Sequence, residues 1–105
     1  MFDWKKPTVQ MLGRWQPWHD GHQALFKRCV AKTGQVIIQV RDVQGASGGD
    51  GQDDNPFDWD AVCKNIEDGL IKDNFKRGVD YEIMLVPNIV NITYGRGVGY
   101  AFDEE

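Results

Sequence analysis

Three short apolar runs, separated by two stretches of helical periodicity, constrain the fold of this chain more than any other feature. The runs lie at residues 8–12, 35–40 and 81–86. Each has the length and the content of Val, Ile, Leu or Met that predict a β-strand. Between the first two, apolar residues recur at helical spacing from about Gly21 to Thr33, and Gly34 is placed to end that helix.

A second helix is predicted to begin after Asp58, whose carboxylate can cap its first turn. Phe57 and Val62 have the spacing of a hydrophobic staple across such a cap. The apolar period continues to Leu70, and Gly78 is expected to end the helix.

The order of strand, helix, strand, helix and strand predicts an α/β protein with a short parallel sheet, because helical crossovers join parallel strands. The second strand is apolar enough for burial on both faces, so we expect helices on both faces and a small Rossmann-like fold of three layers. Ligands of such sheets bind beyond the carboxyl ends of the strands. The loops at residues 13–21, 41–57 and 87–100 should all lie at that edge.

Size and charge narrow the class of protein. The 105 residues are expected to form one domain, residues 1–105. A net charge of −4 argues against a nucleic-acid partner, which would need a broad basic face. The longest apolar runs, such as residues 83–86, are far shorter than the roughly 20 residues that cross a bilayer.

The compartment is inferred from the N-terminus and the cysteines. The first residues lack the long apolar run of a signal peptide. Cys29 and Cys63 fall in different predicted helices, without the spacing of a zinc or redox motif. We therefore expect reduced thiols in a cytoplasmic protein with no membrane partner.

The chemistry of the chain is concentrated at residues 19–22, which read His-Asp-Gly-His and lie where the first helix should begin. The free N–H groups and the dipole of a helix N-terminus attract an anion. His19 and His22 fall on one side of the first turn and can direct imidazole donors at one phosphate. Gly21 has no Cβ, so a phosphate can approach the backbone closely.

This arrangement suits the transfer of a nucleotidyl group. Charge builds up on the α-phosphate oxygens and on the leaving pyrophosphate, where hydrogen-bond donors stabilise it. The attacking group comes from the substrate, so no enzyme nucleophile is needed. Accordingly, the predicted loops contain no Ser, Cys or Lys paired with a base.

Residues 13–22, Gly-Arg-Trp-Gln-Pro-Trp-His-Asp-Gly-His, closely resemble the first motif of the HxGH nucleotidyltransferases. The opening Gly-Arg-aromatic-Gln-Pro is most similar to nicotinamide-nucleotide adenylyltransferases and to the cytidylyltransferase-like domains sometimes joined to adenylylsulfate kinases. Residues 40–42, 55–57 and 86–100 also resemble those domains, so the resemblance covers most of the chain. It implies a Rossmann-like fold, Mg²⁺-assisted attack on an α-phosphate and release of pyrophosphate.

The resemblance also implies roles by position. His19 and His22 would be the catalytic residues that contact the phosphates. Nucleotide-binding positions would be Gly13, Arg14, Trp15, Gln16, Gly21, Arg41, Tyr94 and Arg96. The implied partners are a nucleoside triphosphate, CTP or ATP, and a small phosphorylated acceptor. The chain departs from the family in ending without the usual Ser-x-Thr-x-x-Arg segment, and residues 44–53 look like an insertion.

The same residues allow other interpretations. The two histidines could hold a metal together with Asp20, although no further ligand is evident, or could be solvated surface groups. Trp15 and Trp18 lie on a polar loop and either stack on a ligand or pack on the first helix. Arg14 and Arg41 either reach the site or are ordinary exposed arginines.

Three functions follow as hypotheses. The first is an active nucleotidyltransferase that makes a CDP- or AMP-linked product. The second is a catalytically weak or inactive nucleotide-binding module, and the third is an interaction protein, supported only by the aromatic side chains. Because three strands bury little surface, we also expect a homodimer in which a second copy covers the sheet edge and the site mouth.

Overall fold

A computed structural model of the protein describes residues 1–43 and 57–95. Its elements follow the order β1 (Val9–Gly13), α1 (Asp20–Thr33), β2 (Val36–Arg41), α2 (Trp59–Lys72) and β3 (Tyr81–Val86). The predicted alternation of strands and helices is confirmed. Neither helix of the described part has the length and apolar character needed to cross a membrane.

The three strands form one parallel sheet in the order β1-β2-β3. Gly13 at the end of β1 pairs with Val40, and the next residue of β2, Arg41, pairs with Val86 at the end of β3. The carboxyl ends of all three strands therefore meet at one edge. The predicted α/β class, with a small Rossmann-like arrangement around a short parallel sheet, is confirmed.

Both helices lie on the same face of this sheet and contact each other there. Gln23 of α1 donates a hydrogen bond to the carbonyl of Gly69 in α2 at 2.7 Å, and Lys27 forms an ion pair with Asp73 at 3.1 Å. The ring of Phe26 also packs edge-on against Tyr81 of β3. Among the described residues there are thus two layers, whereas the sequence analysis expected helices on both faces.

Strand order explains the difference. When neighbouring strands follow each other along the chain, successive right-handed crossovers place both helices on one side. Burial along β2 alternates accordingly: Val36, Ile38 and Val40 are buried beneath the helices, while Ile37 and Gln39 on the opposite face are only half-buried.

The ends of the helices follow local capping chemistry. Gly34 adopts a φ of 87°, and its N–H donates to the Val30 carbonyl at 2.7 Å, which ends α1 as predicted. At the start of α2, the Asp58 carboxylate accepts from the Ala61 N–H at 2.9 Å, so the predicted N-cap is confirmed.

The predicted end of α2 at Gly78 is wrong. The helix ends at Lys72, because Asn74 adopts a left-handed φ of 67°. The Phe75 N–H then donates to the Leu70 carbonyl at 3.1 Å and the Asn74 N–H to the Ile71 carbonyl at 3.0 Å, which is a Schellman motif. Asparagine tolerates the left-handed conformation that the sequence analysis assigned to glycine.

The core joins the two helices to the covered face of the sheet. Phe26, Val36, Ile38, Ile66 and Leu70 have no exposed surface. Full burial of a side chain of this kind contributes about 1.5–3 kcal/mol. The two cysteines lie in separate helices, and both are free thiols, Cys29 buried and Cys63 half-buried.

Gly69 makes room for the contact between α2 and the loop that follows β1. A Cβ at this position would lie 3.0 Å from Trp18 Cδ1, 3.1 Å from Trp18 Nε1 and 3.2 Å from Gln23 Oε1. The Trp18 indole cannot retreat easily, because it is 9% exposed and donates to Gln23 Oε1 at 2.7 Å. A glycine in the last turn of α2 is thus explained by packing.

We predict that Gly69→Ala destabilises the protein. In a helix interior, replacing Gly with Ala normally contributes about 1 kcal/mol of stability, but overpacking against Trp18 costs roughly 1–3 kcal/mol. Ala24→Gly on the exposed side of α1 is the matched control and should lower the free energy of unfolding by about 1 kcal/mol. Urea unfolding measures both; a gain for Gly69→Ala would contradict this account of the packing.

Candidate functional site

Two imidazoles cap the N-terminus of α1. His19 is the N-cap residue, with an extended backbone at φ −137°, and its Nδ1 accepts from the Gly21 N–H at 3.0 Å. His22 Nδ1 accepts in turn from the His19 N–H at 3.3 Å. The two side chains therefore form a reciprocal capping box, in which histidines occupy the positions usually held by Ser or Thr and Glu.

The capping bonds fix how the two rings can act. A neutral imidazole has one acceptor and one donor nitrogen, so rings that accept at Nδ1 carry their proton at Nε2. The rings of His19 and His22 are stacked, with centroids 3.7 Å apart and planes inclined by 20°. The pair consequently carries its two Nε2–H groups at the positive end of the helix, where His19 is exposed and the His22 ring also hydrogen-bonds to the backbone of Pro17.

Gly21 is needed for this arrangement. A Cβ there would lie 2.9 Å from Cε1 and 3.2 Å from Nδ1 of the His19 ring, which folds back over the first turn. The sequence analysis assigned the missing Cβ to the approach of a phosphate. In the structure the space next to Gly21 is occupied by His19.

Two tryptophans enclose the imidazole of His22. The Trp15 ring meets the His22 ring edge-on at a centroid distance of 4.8 Å, and the Trp18 ring lies 5.6 Å from it. Trp15 and Trp18 are 7% and 9% exposed and belong to the core. Of the two interpretations given for these side chains, packing is the one that the structure shows.

Trp15 is held from two sides. Its Nε1 donates to the Gln39 carbonyl of β2 at 3.1 Å, and its backbone adopts a left-handed φ of 54°. A Cβ at Gly13 would lie 2.9 Å from Trp15 Cζ2. Gly13 thus admits the indole against the end of β1, a role that the sequence analysis did not identify.

The enclosure changes the acidity of His22. Burial lowers the pKa of His22 below its usual value, and the nearby charge of His19 lowers it further. A hydrogen bond with the backbone of Pro17 acts in the opposite direction. With its pKa lowered, His22 is neutral at pH 7 and keeps Nδ1 available as the capping acceptor.

Gln16 connects the motif to the start of α2. Its Oε1 accepts from the Phe57 N–H and its Nε2 donates to the Phe57 carbonyl, both at 2.8 Å. This two-bond contact spans 41 positions of sequence. The side chain predicted to bind nucleotide is therefore engaged with backbone, while the neighbouring Arg14 is exposed.

Arg41 lies at the carboxyl end of β2 and contacts the loop after β3. Its Nη2 donates to Asn88 Oδ1 at 2.9 Å, and its buried Nε has no hydrogen-bond partner among residues 1–43 and 57–95. Tyr94, farther along the same loop, is 59% exposed. The structure thus groups Gly13, Trp15, Gly21 and the histidine pair, and places Arg41 beside a different loop of the same edge.

Some predicted positions lie outside the described residues. Arg96 and the glycine-rich segment 44–53 belong to the ranges 44–56 and 96–105, for which the structure gives no description. Their roles remain predictions from the sequence.

A groove of about 560 Å³ lies beside His19, between α1 and α2. Its walls include Trp18 and Asp20 from the motif and Asp68, Gly69 and Asp73 from α2. Gln23 lines it as well, and neither Gln23 nor Gly69 was among the predicted site residues. A glycine inside an otherwise apolar helical pattern was the available signal for the close contact.

In residues 1–43 and 57–95, no three His, Cys, Asp or Glu side chains are grouped so that they could hold a metal ion. The histidine pair supplies nitrogen donors, whereas Mg²⁺ prefers oxygen. The described side chains do not fit a dedicated Mg²⁺ site.

No model of a protein family matches the chain, and no curated protein matches it significantly.

We predict that His22 makes stability depend on pH. Because the folded state holds the His22 pKa below its usual value of about 6.5, the unfolded chain binds the proton first as pH falls. Stability should therefore be full above about pH 6.5 and decrease as pH falls toward the lowered pKa. His22→Asn lacks this titration but retains a side-chain acceptor.

The measurement is urea unfolding at pH 8 and at pH 5. The free energy of unfolding of the unaltered protein should exceed that of His22→Asn by more at pH 8 than at pH 5. Other groups, including Asp73, whose carboxyl pKa is lowered chiefly by the hydrogen bond from Gln23, titrate in both proteins and cancel. An equal difference at the two pH values would contradict the prediction.

Proposed function

We propose that this protein is a nucleotidyltransferase of the HxGH type. It transfers a CMP or AMP group from CTP or ATP to a small phosphate or phosphorylated alcohol and releases pyrophosphate. One observation carries the proposal: two stacked imidazoles at the start of α1 whose Nδ1 atoms accept backbone N–H groups, so that their protons are at Nε2.

The hydrogen bonds strengthen this site for an anion. A backbone N–H that donates to Nδ1 draws electron density from the ring and makes Nε2–H a better donor. The positive end of the helix dipole acts in the same direction. The phosphates would meet the Nε2–H group of the exposed His19 first, and His22 would donate to them in place of its hydrogen bond to the Pro17 carbonyl. The backbone amide of Gly21 acts on them through the His19 ring.

The proposed reaction needs no enzyme nucleophile. An oxygen of the acceptor forms a bond to the α-phosphorus, and the bond from that phosphorus to the α,β-bridging oxygen breaks. Pyrophosphate leaves with the electron pair. His19 and His22 donate hydrogen bonds to the oxygens on which charge accumulates, and they neither form a bond to phosphorus nor remove a proton.

Magnesium belongs to the substrate in this proposal. Mg²⁺ binds phosphate oxygens together with water and few protein groups. The described side chains form no metal cluster, so we propose that the ion enters as the complex of the nucleoside triphosphate. Mg²⁺ neutralises phosphate charge there, which is the chemistry that it supplies.

Arg41 is proposed to bind a phosphate of the nucleotide or of the acceptor. The support is its buried Nε, which has no partner in the described structure. A buried charged donor without an acceptor costs stability, and a phosphate oxygen would satisfy it. Arg14, Tyr94 and Arg96 are proposed as further nucleotide contacts on the resemblance alone.

We predict that His22→Ala lowers kcat by about 10² to 10³, the usual effect of removing one donor to a transition-state oxyanion. The nucleotide Kd should change much less, because the remaining groups still bind ground-state phosphate. His22→Asn keeps an N–H donor and should recover part of the rate. Pyrophosphate release measures the rate with a panel of phosphorylated acceptors.

The binding arm uses thermal shifts with CTP, ATP, GTP and UTP in the presence of Mg²⁺. A ligand at 100 times its Kd stabilises by roughly 2.7 kcal/mol. Stabilisation without pyrophosphate release would identify a nucleotide-binding module and contradict the transferase. Unchanged kcat in His22→Ala would contradict the role of the histidine pair.

We also propose that the protein forms a homodimer through surface that the helices leave uncovered. Ile37 on the open face of the sheet is half-buried, and Leu85 of the described edge strand β3 is 44% exposed. In the following loop Val90 and Ile92 are 86% and 54% exposed. Burial of such surface in a second copy is favourable.

We predict a dimer by sedimentation velocity at micromolar concentration. Val90→Asp should shift the equilibrium toward monomer, because a charge placed in the interface must lose its hydration. Lys64→Asp, on the exposed side of α2, is the control and should not change the mass. A monomer for the unaltered protein, stable without ligand, would contradict the dimer.

A further inference from the structure

Gln23 joins three parts of the molecule through one side-chain amide. Its Oε1 accepts from Trp18 Nε1 at 2.7 Å. Its Nε2 donates to the Gly69 carbonyl and to Asp73 Oδ2, both at 2.7 Å. The residue is one position beyond the histidine motif, and its partners in α2 are 46 and 50 positions away.

Two of these hydrogen bonds, to the Gly69 carbonyl and from the Trp18 indole, satisfy polar groups that would otherwise lack a partner. Gly69 belongs to the last turn of α2, where carbonyls lack an intrahelical donor. The Asp73 N–H that would normally reach Gly69 donates to the Leu70 carbonyl at 3.1 Å instead. The Trp18 indole N–H, on a ring that is 9% exposed, finds its acceptor in Gln23.

The amide thereby fixes the orientation of the Trp18 indole. A ring can still turn when it is held by packing alone, but the 2.7 Å bond to Gln23 Oε1 sets the direction of Nε1. Gly69 admits the ring at this position, because a Cβ there would lie only 3.0 Å from Trp18 Cδ1. Gln23 on one side and α2 on the other therefore determine the position of the ring.

Trp18 lies directly against the histidine pair. Its centroid is 5.6 Å from that of His22 and 5.3 Å from that of Trp15, which itself meets His22 at 4.8 Å. The titratable group that influences the His22 pKa is His19, and the Pro17 backbone hydrogen-bonds to the His22 ring. If the Trp18 ring moved, one side of the His22 imidazole would become accessible to water.

We propose that Gln23 is a positioning residue for the histidine pair and acts through the Trp18 indole to hold His22 in place. Its contribution to turnover rests on the proposed nucleotidyl transfer. The mechanical part does not, because the geometry of His22 is measurable without substrate.

The first experiment measures the His22 pKa by NMR titration of the imidazole. The chain has only two histidines, and His19→Asn assigns the remaining signals. Gln23→Met keeps the length of the side chain but removes the strong acceptor and the donor. The expected result is a rise of the His22 pKa toward the usual imidazole value, because the loosened indole admits water.

Val30→Ala is the matched control. Val30 is a partly buried residue of α1 that packs on the core without belonging to the motif. It should lower the urea midpoint and leave the His22 pKa unchanged. If Gln23→Met likewise changes only the midpoint, Gln23 is structural and the proposal is wrong.

A double-mutant cycle tests the route through Trp18. Trp18→Phe removes the N–H group from which Gln23 accepts a hydrogen bond. In the Trp18→Phe protein, Gln23→Met should therefore have no further effect on the His22 pKa. Equal effects in both backgrounds would overturn the role of Trp18. If Gln23→Met does not fold, the single variant Trp18→Phe tests the proposal. A raised His22 pKa in Trp18→Phe would support the positioning role, and an unchanged pKa would show that Trp18 does not position His22.

Turnover provides a separate readout. Displacement of a catalytic group is expected to lower kcat roughly 10- to 100-fold with a smaller change in KM. If neither the unaltered protein nor any variant releases pyrophosphate while the NMR results are as expected, the positioning role is supported and the transferase proposal is contradicted. A normal kcat combined with an unchanged His22 pKa would overturn the positioning role alone.

Discussion

The structure of the site depends on how the first N–H groups of α1 are satisfied. Every helix begins with backbone donors that lack an intrahelical acceptor, and here His19 and His22 accept two of them through Nδ1. The cap therefore determines the tautomer, the stacking and the direction of both rings together. Asp would cap the helix equally well, but an ionised carboxylate has no donor to present on the outer side.

Supporting contacts come from distant parts of the chain. Trp15 and Trp18 enclose His22, and they are held in turn by β2 through Gln39 and by α2 through Gln23 and Gly69. The parallel sheet brings these elements together, because both crossovers place their helices on one face. A motif of four residues thus acquires its electrostatic character from the whole βαβαβ unit, including the lowered pKa of His22.

The element order could be predicted from the sequence because apolar periodicity is a local property. The place of the histidine motif could be predicted for the same reason, since it falls between a strand and a helix. The single covered face and the Schellman motif at Asn74 could not, because they depend on strand order and on one left-handed backbone conformation. Gln16 and Gln23 show a further limit: their partners are 41 to 50 positions away, and a glutamine carries no signal of what its amide will meet.

The occupied Nδ1 atoms have a consequence for the choice of acceptor. A ring that accepts at Nδ1 and carries its proton at Nε2 has no lone pair left to remove a proton from an incoming group. A neutral alcohol would have to lose its proton without assistance from either histidine. In the proposed reaction the nucleophile must therefore arrive already ionised, as a phosphate oxygen does near pH 7. The capping geometry of one helix turn thus restricts the acceptors to groups that are acidic enough to be ionised at that pH, whatever their shape.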